Sequence, residues 1–335
     1  MVAIVGFLVF ALPHVPGIYL SSFHLILIPS QIIWLYASYF IACKADPGTI
    51  TEKNVNTYID IFPYDGLLYT KKDCWTCNIP KPARSKHCPM CKSCIARLDH
   101  HCAWLNKCVG YNNHRYFFLF LFTLTQFCAY GFYLCFQIYR GMIIEWGLDK
   151  AYLYDRVSGE KKPLDFRTAI IHILHRDRII GSIGILTIVV SVVVFIFTAY
   201  QLYLAGRGIT TNEAFKWEVL EDAIYRGEIW IVDEDNDDEG DNNNKKENKL
   251  GAATANKSKD NKKRKGDREH QQNKTEHQEQ FIRKRTSAKI NINSNNTASK
   301  KKERQIQSLE EVDNIYDKGF FANLYEVFFP KSISY

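Results

Sequence analysis

The chain has 335 residues, of which 46% are hydrophobic and 14% aromatic, a composition that suits either a soluble enzyme or a small membrane protein. Its net charge of +7 originates in one segment, because residues 245–305 carry 19 Lys and Arg against 7 Asp and Glu. The rest of the chain is therefore net acidic, which argues against nucleic-acid binding by the folded part.

Two apolar runs near the N-terminus predict a hairpin of membrane spans in residues 1–43. Phe23–Cys43 has 21 residues and no formal charge, and a bilayer core requires about 20 apolar residues. The run from Val2 to Leu12 is long enough only if its helix continues through two prolines to about Leu20. A cleaved signal peptide is the alternative, but basic residues are missing at its start and another span follows at once.

Residues 44–115 contain a dense cluster of potential metal ligands. Cysteines spaced two residues apart, with histidines among them, are typical of tetrahedral zinc sites. The ligands in this stretch are seven cysteines and three histidines: Cys74, Cys77, Cys88, Cys91, Cys94, Cys102, Cys108, His87, His100 and His101. Two closed sites would use eight of these ten groups, so two groups remain for another role.

The remaining groups can be predicted from the alternation of side chains in an extended segment. If residues 99–102 are extended, His100 and Cys102 share one face and His101 points the other way. His101 can then bind metal together with Cys108, while His100 takes a proton from Cys102 and Asp99 orients His100. Thiol, base and carboxylate thus lie within four residues, the set of groups that nucleophilic catalysis requires.

The distribution of charge predicts the topology. Lys and Arg are frequent in residues 44–115 and absent from the hairpin before them, so we expect this region in the cytosol, where thiolates stay reduced. Two further spans are predicted at residues 116–138 and 179–204, which leaves residues 139–178 as a lumenal loop. A soluble all-helical core is the alternative, but four uncharged stretches separated by polar loops disfavour it.

The C-terminal third divides into three parts. Residues 205–231 contain Thr210–Glu213, a capping signal for a helix. Residues 232–311 are polar and charged, which predicts a disordered linker. The basic cluster Lys262–Lys265 could touch anionic lipids, although a solvated linker is the favoured interpretation. Apolar residues return in 312–335, which we expect to pack back onto the protein. The predicted fold is an all-α multi-pass membrane protein of about four spans with a zinc-stabilised cytosolic domain.

These motifs resemble those of one family. The run Asp99-His100-His101-Cys102, with the cysteines before it and Cys108-Val109-Gly110 after it, resembles the cysteine-rich domain of the DHHC protein S-acyltransferases. Further resemblances occur in the family's order at Asp46-Pro47-Gly48, Thr210-Thr211-Asn212-Glu213 and Asn323 to Phe328. The stretches Tyr64–Tyr69, Lys81–Cys88 and Asn314–Gly319 resemble the fungal spore-wall-formation branch, which acts in the endoplasmic reticulum.

The resemblance implies two structural zinc ions, with acyl-CoA as co-substrate. One zinc site would comprise Cys74, Cys77, His87 and Cys94, and the other Cys88, Cys91, His101 and Cys108. Lys81, Arg84 and Lys86 match family positions near the CoA phosphates, although Lys86 could equally be solvated surface charge. Trp104 matches a position at the mouth of the acyl cavity. Ala103 departs from the family pattern, which usually has proline there.

The implied activity is protein S-palmitoylation at the endoplasmic reticulum membrane. Cys102 would carry the acyl group, His100 would act as base and Asp99 would orient His100, while Thr210–Glu213 would hold Asp99. Expected partners are membrane lipids and membrane proteins with juxtamembrane cysteines, such as SNAREs, with no nucleic acid. A zinc-domain membrane adaptor is the alternative, and it would need the zinc ligands but none of the three remaining groups.

Overall fold

Long apolar runs form the helices that position the rest of the chain. The computed structural model describes residues 2–154, 159–233 and 302–331. The helices are α1 (Val2–His14), α2 (His24–Lys44), α3 (Val55–Ile61), α4 (His114–Glu145), α5 (Phe166–Arg176), α6 (Arg178–Gly206), α7 (Thr211–Tyr225) and α8 (Phe320–Phe328). Single 3-10 turns lie at Leu148–Lys150 and Leu309–Glu311.

Three helices, α2, α4 and α6, are long and apolar enough to cross a membrane. Helix α4 packs chiefly against α6 and then against α2. Their outward-facing side chains are largely apolar and exposed, including Ile33, Phe122 and Val193, as expected for surfaces that face lipid.

The predicted first span is not confirmed among the described residues. Helix α1 changes from α through π to 3-10 geometry and ends at His14, which makes it shorter than a bilayer is thick. Val15 adopts an extended conformation with φ −118° and ψ 121°, as is usual before proline, here Pro16. The helix therefore stops at the prolines instead of continuing to Leu20.

The cysteine-rich region is built from short antiparallel strands, so the all-α prediction holds only for the spans. These strands are β1 (Thr49–Ile50), β2 (Asp73–Cys74), β3 (Ile79–Pro80), β4 (Lys86–Cys88), β5 (Ser93–Ile95), β6 (His100–Cys102) and β7 (Lys107–Val109). They form hairpins β2–β3 and β6–β7 and a sheet of order β1-β5-β4. The tight turns that bring paired cysteines together connect antiparallel strands, and an α-helix contains no such turns.

The segment between α4 and α6 contains the hairpin β8 (Tyr152–Tyr154) and β9 (Lys161–Pro163), followed by α5. Helix α5 buries Ala169 and Ile173 against the ends of the long helices. The predicted lumenal loop thus contains a helix of its own, because the apolar residues of α5 recur with helical spacing.

Both ends of the predicted linker, residues 232–311, contain regular secondary structure. Strand β10 (Trp230–Asp233) pairs with β11 (Lys302–Gln305), and Ile306 is buried against Leu220 and Ile224 of α7. Backbone pairing and this apolar contact order residues that composition alone suggested were flexible. The remainder of the linker, including Lys262–Lys265, lies outside the described residues.

Helix α8 brings the C-terminal part of the chain to the end of α6. Asn323 donates from Nδ2 to the Gly206 carbonyl at 2.8 Å and accepts the Lys318 N–H at 2.9 Å. Val327 is fully buried beside Phe118 and Ala205. The C-terminal segment therefore packs back onto the protein, as the sequence predicted.

Candidate active site

Two groups of four side chains converge in the cysteine-rich region. The structure brings together the two predicted sets, Cys74, Cys77, His87 and Cys94, and Cys88, Cys91, His101 and Cys108. Within each set, the ligand atoms all lie within 4.8 Å of one another.

The strands explain why the two sets interleave in sequence. His87 and Cys88 are neighbours on β4, so their side chains point to opposite faces and enter different sets. His87 lies opposite Cys94 on β5, and His101 lies opposite Cys108 on β7. Cross-strand partners of this kind have side chains close enough to bind one ion.

The spacing of the ligand atoms fits tetrahedral zinc. Zinc bonds of about 2.3 Å to sulfur and 2.0–2.1 Å to nitrogen imply ligand–ligand distances of about 3.5–3.8 Å in a set with one histidine, and the distances in both sets lie within a few tenths of an ångström of this range. Cys77 Sγ and His87 Nδ1 are 3.3 Å apart, Cys91 Sγ and Cys108 Sγ are 3.5 Å apart, and Cys94 Sγ and His87 Nδ1 are 3.9 Å apart. Both sets therefore match the donor number, type and spacing of a closed zinc site.

Cys102 and His100 belong to neither set. Strand β6 is extended, as predicted, so His100 and Cys102 share the face opposite to His101. His100 Nδ1 lies 2.6 Å from Asp99 Oδ2, and His100 and Cys102 are close enough for each side chain to shift the pKa of the other. The thiol, the imidazole and the carboxylate thus form one connected chain.

The pKa shifts of Asp99, His100 and Cys102 favour a reactive thiolate at Cys102. Burial opposes charge on all three groups, but hydrogen bonding outweighs it. The bond from His100 helps hold the pKa of Asp99 at about 2, and the bonds to Asp99 and Cys102 raise the pKa of His100 to about 9. The bond to His100 in turn lowers the pKa of Cys102. A deprotonated thiol beside a protonated imidazole is the arrangement of an activated nucleophile.

The N-terminus of α7 holds Asp99. The Thr211 N–H donates to Asp99 Oδ1 at 2.6 Å and the Thr211 hydroxyl donates to Asp99 Oδ2 at 3.1 Å. Thr210 and Glu213 form a capping box that fixes this end of the helix. The helix terminus also favours negative charge, so α7 positions the carboxylate as the motif led us to expect.

Arg84 is not placed to bind an anionic ligand, which contradicts its predicted role at the CoA phosphates. Only 2% of its side chain is exposed, and its guanidinium donates to Glu213 Oε1 and Oε2 at 2.7 and 2.5 Å and to the Gly208 carbonyl at 2.7 Å. The guanidinium also lies over the Tyr316 ring at 4.5 Å. Arg84 therefore pairs with Glu213 inside the protein and holds the N-terminal end of α7 in place.

The other predicted ligand-binding residues lie at the surface. Lys86 is exposed and its Nζ donates to Asn212 Oδ1 at 2.8 Å, while Lys81 is half-buried. Trp104 is 84% exposed, and its carbonyl accepts a hydrogen bond from Tyr39. Binding of acyl-CoA by Lys81, Lys86 and Trp104 remains a prediction.

Sequence reasoning missed one residue that touches the candidate base. Phe117 packs edge-on against His100 with ring centroids 5.2 Å apart. It lies in the apolar run of α4, where no spacing signal separates it from ordinary lipid-facing or core phenylalanines.

Comparisons with known proteins agree with this geometry. The family model of the DHHC palmitoyltransferase matches residues 68–218. Palmitoyltransferase swf1 of Schizosaccharomyces pombe is 27% identical over 90% of this chain, which covers 65% of that protein. Palmitoyltransferase ZDHHC4 of Mus musculus is 35% identical over 57% of this chain and 56% of its own length. Palmitoyltransferase SWF1 of Yarrowia lipolytica is 27% identical over 91% of this chain and 71% of its own length.

The chain spans less than two thirds of the length of the Schizosaccharomyces pombe and mouse relatives. The matched residues nevertheless include both sets of potential zinc ligands, the Asp99–Cys102 run and the Thr210–Glu213 element that holds it. The resemblance noted in the motifs is confirmed, including its fungal branch: residues 68–218 match the DHHC palmitoyltransferase family model, and the relatives that align over most of the chain are swf1 palmitoyltransferases.

Proposed function

We propose that this chain is a protein S-palmitoyltransferase that moves a long-chain acyl group from acyl-CoA to cysteines of membrane proteins. The observation that carries the proposal is the position of Cys102, which shares one face of β6 with His100, itself bonded to Asp99, and lies outside both sets of potential zinc ligands. A zinc-domain adaptor would require none of these three groups, and no contact in the described residues favours it.

Two transfers make up the reaction. The Cys102 thiolate attacks the carbonyl carbon of the acyl-CoA thioester, and the bond from that carbon to the CoA sulfur breaks. The departing CoA thiolate takes the proton of the His100 imidazolium. A cysteine of the substrate protein then gives its proton to His100 and attacks the acyl group, which releases Cys102 as thiolate.

Asp99 keeps His100 in the tautomer that faces Cys102 and stabilises its cationic form. Zinc, when bound by the two sets, would stabilise the fold without supplying an open coordination position. The Cys74 set would hold the β2–β3 hairpin, and the Cys88 set would hold β6 through His101. The Cys88 set, through His101 and Cys108, would thereby keep the backbone on either side of Cys102 in place.

The acyl chain needs apolar surroundings, and the long helices provide them. Cys102 packs with Ala42 of α2 and Leu121 of α4. An apolar cavity lies further along the same helices, lined by Ile32 and Phe127 among others. At 1.5 Å per residue, this cavity begins about 10–15 Å from the cluster around Cys102. We propose that the acyl chain extends from Cys102 toward it.

The proposed location and partners are supported by the family resemblance and by the charge pattern of this chain. We propose that the enzyme resides in the endoplasmic reticulum membrane with residues 44–115 in the cytosol, where acyl-CoA is found. Its substrates would be single-span proteins with cysteines beside their spans, such as SNAREs. Relatives named swf1 and the positive-inside distribution of Lys and Arg support this proposal.

Self-acylation tests the function directly. Purified wild-type protein incubated with labelled palmitoyl-CoA should acquire a hydroxylamine-sensitive label, and Cys102→Ser should lose it because serine cannot form the thioester. Zinc content and melting temperature should be the same in both proteins. Absence of label in folded, zinc-loaded wild type would contradict the proposal, as would a thioester label retained by the variant.

A further inference from the structure

Gln201 is a polar residue buried in the apolar helix α6. Its side chain is 2% exposed and lies near the end of the helix that meets the cysteine-rich region. A buried amide is unfavourable in a membrane helix unless its hydrogen-bonding groups are used. Gln201 Nε2 lies 3.1 Å from the Thr211 hydroxyl oxygen, and Gln201 Oε1 lies 3.4 Å from the same oxygen.

The Thr211 hydroxyl has one hydrogen and two acceptors within reach. Asp99 Oδ2 lies 3.1 Å away and carries negative charge, while Gln201 Oε1 is neutral and lies 3.4 Å away. The charged and closer acceptor forms the stronger bond, so the hydrogen points to Asp99. The Gln201 amide nitrogen then donates to the free lone pair of the hydroxyl oxygen.

This arrangement gives the chain of hydrogen bonds a single direction. Gln201 donates to Thr211, Thr211 donates to Asp99, and Asp99 Oδ2 also accepts from His100 Nδ1 at 2.6 Å. The Thr211 N–H holds the other carboxylate oxygen at 2.6 Å. Both oxygens of Asp99 are thereby fixed, and one of these contacts depends on the orientation of a hydroxyl that can otherwise rotate.

We propose that Gln201 is a positioning residue for acyl transfer, which donates to the Thr211 hydroxyl oxygen, restrains that hydroxyl in its bond to Asp99, and so keeps His100 facing Cys102. The proposal rests on the proposed function. It also joins a membrane helix to the active site, because Gln201 belongs to α6, whereas Asp99 belongs to the cysteine-rich region and Thr211 to α7. A shift of α6 would reach His100 through this amide.

The test measures the single-turnover rate at which labelled palmitoyl-CoA acylates Cys102 in the full chain. Gln201→Met keeps the length of the side chain and removes its hydrogen bonds, so we expect the maximal rate to fall roughly fivefold to tenfold. The palmitoyl-CoA concentration at half-maximal rate should stay the same, because Gln201 acts on the base and not on the substrate. Thr198→Val is the matched control, since Thr198 is buried on the same helix and, among the described residues, its hydroxyl bonds to the Val194 carbonyl of that helix; its rate should match wild type.

Variants of Thr211 separate positioning from a merely structural role. In Thr211→Val the hydroxyl is gone, so adding Gln201→Met should cause no further loss; in Thr211→Ser, which restores the hydroxyl, the loss should return. An equal effect of Gln201→Met in both backgrounds would overturn the proposal, as would a wild-type rate in Gln201→Met.

Zinc content and melting temperature control for folding. If Gln201→Met does not fold, Gln201→Asn replaces it, because its amide is one methylene too short to reach Thr211 and predicts the same loss. A wild-type protein that forms no Cys102 adduct would refute the proposed function itself, whereas acylated wild type with an unaffected Gln201 variant would refute only the role of Gln201.

Discussion

The sulfur of Cys102 is surrounded by donors from its own loop and from His100. Burial raises the pKa of the Cys102 thiol, but His100 and the backbone N–H groups of Leu105 and Trp104 outweigh burial and lower it. Hydrogen bonds to the charged form of a group favour that form. Burial would otherwise keep this thiol protonated, so these few donors determine whether Cys102 reacts.

Arg84 connects parts of the protein that are far apart in sequence. Its backbone adopts a left-handed conformation at φ 62°. Arg84 pairs with Glu213, and Tyr69 adds a hydrogen bond to Glu213 Oε1 at 2.7 Å. Burial raises the pKa of Glu213, but the charge of Arg84 outweighs this effect and lowers it. The pair therefore stays ionised and holds the start of α7 against the cysteine-rich region.

Arg84→Gln should destabilise the protein instead of weakening acyl-CoA binding. The change leaves Glu213 buried without its cation, which typically costs about 3–5 kcal/mol. We expect a lower melting temperature and an unchanged half-saturating concentration of palmitoyl-CoA in the protein that remains folded. Lys86→Gln is the control, because Lys86 is exposed and its loss should change stability by less than about 0.5 kcal/mol. Weaker palmitoyl-CoA binding by Arg84→Gln at an unchanged melting temperature would restore the predicted anion-binding role.

At the scale of elements, short strands distribute neighbouring residues between the two sets of potential zinc ligands and the face that carries Cys102. Strand β4 places His87 and Cys88 in different sets, and β6 places His101 in the Cys88 set while His100 and Cys102 lie outside both sets. Residues Asn78 and Lys92 follow the Cys-x2-Cys turns with φ of 53° and 54°. Equivalent turns thus close both sites.

Metal analysis should find about two zinc ions per chain, since each set offers four ligands of closed tetrahedral type. Cys77→Ser should lower the content to about one, because it removes a ligand from only one set. Inductively coupled plasma mass spectrometry on purified protein measures both values. A wild-type content near one would contradict the two interleaved sites.

Much of the site could be predicted because its residues are close in sequence. Cysteine spacing restricts which thiols can meet, and the extended conformation of residues 100–102 separates His100 from His101. Long-range partners left no such signal: Arg84 and Glu213 are 129 residues apart, and Gln201 is a single amide in an apolar run. The end of α1 at the prolines and the burial of Ile306 depend on local backbone and packing that composition does not reveal.

At the scale of the whole molecule, the three long helices and the charges beside them determine the topology. Residues 44–115 connect α2 to α4, and α7 follows α6, so the cysteine-rich region and α7 must lie on the same side of the membrane to make their contacts. Two crossings, by α4 and α6, separate them along the chain. The contacts between Asp99 and Thr211 thus agree with an even number of crossings between them.

A glycosylation scan tests this topology. An acceptor sequence inserted after Gly159, between α4 and α6, should be modified, because that segment would face the lumen. The same sequence inserted after Lys92 should remain unmodified in the cytosol. The measurement is the endoglycosidase-sensitive shift in electrophoretic mobility, and the reverse pattern would place the reaction on the wrong side of the membrane for acyl-CoA.

The aromatic cover over Arg84 has a consequence for biosynthesis. Tyr316 hydrogen-bonds to the Pro63 carbonyl across 253 residues of chain, and it packs against Phe62 and Tyr69. At a synthesis rate of about 5–20 residues per second, the ribosome needs on the order of 10–50 s to make the intervening chain. During that interval the nascent cysteine-rich region still exposes the surface that Tyr316 will cover, because the residue that completes this surface has not yet been synthesised.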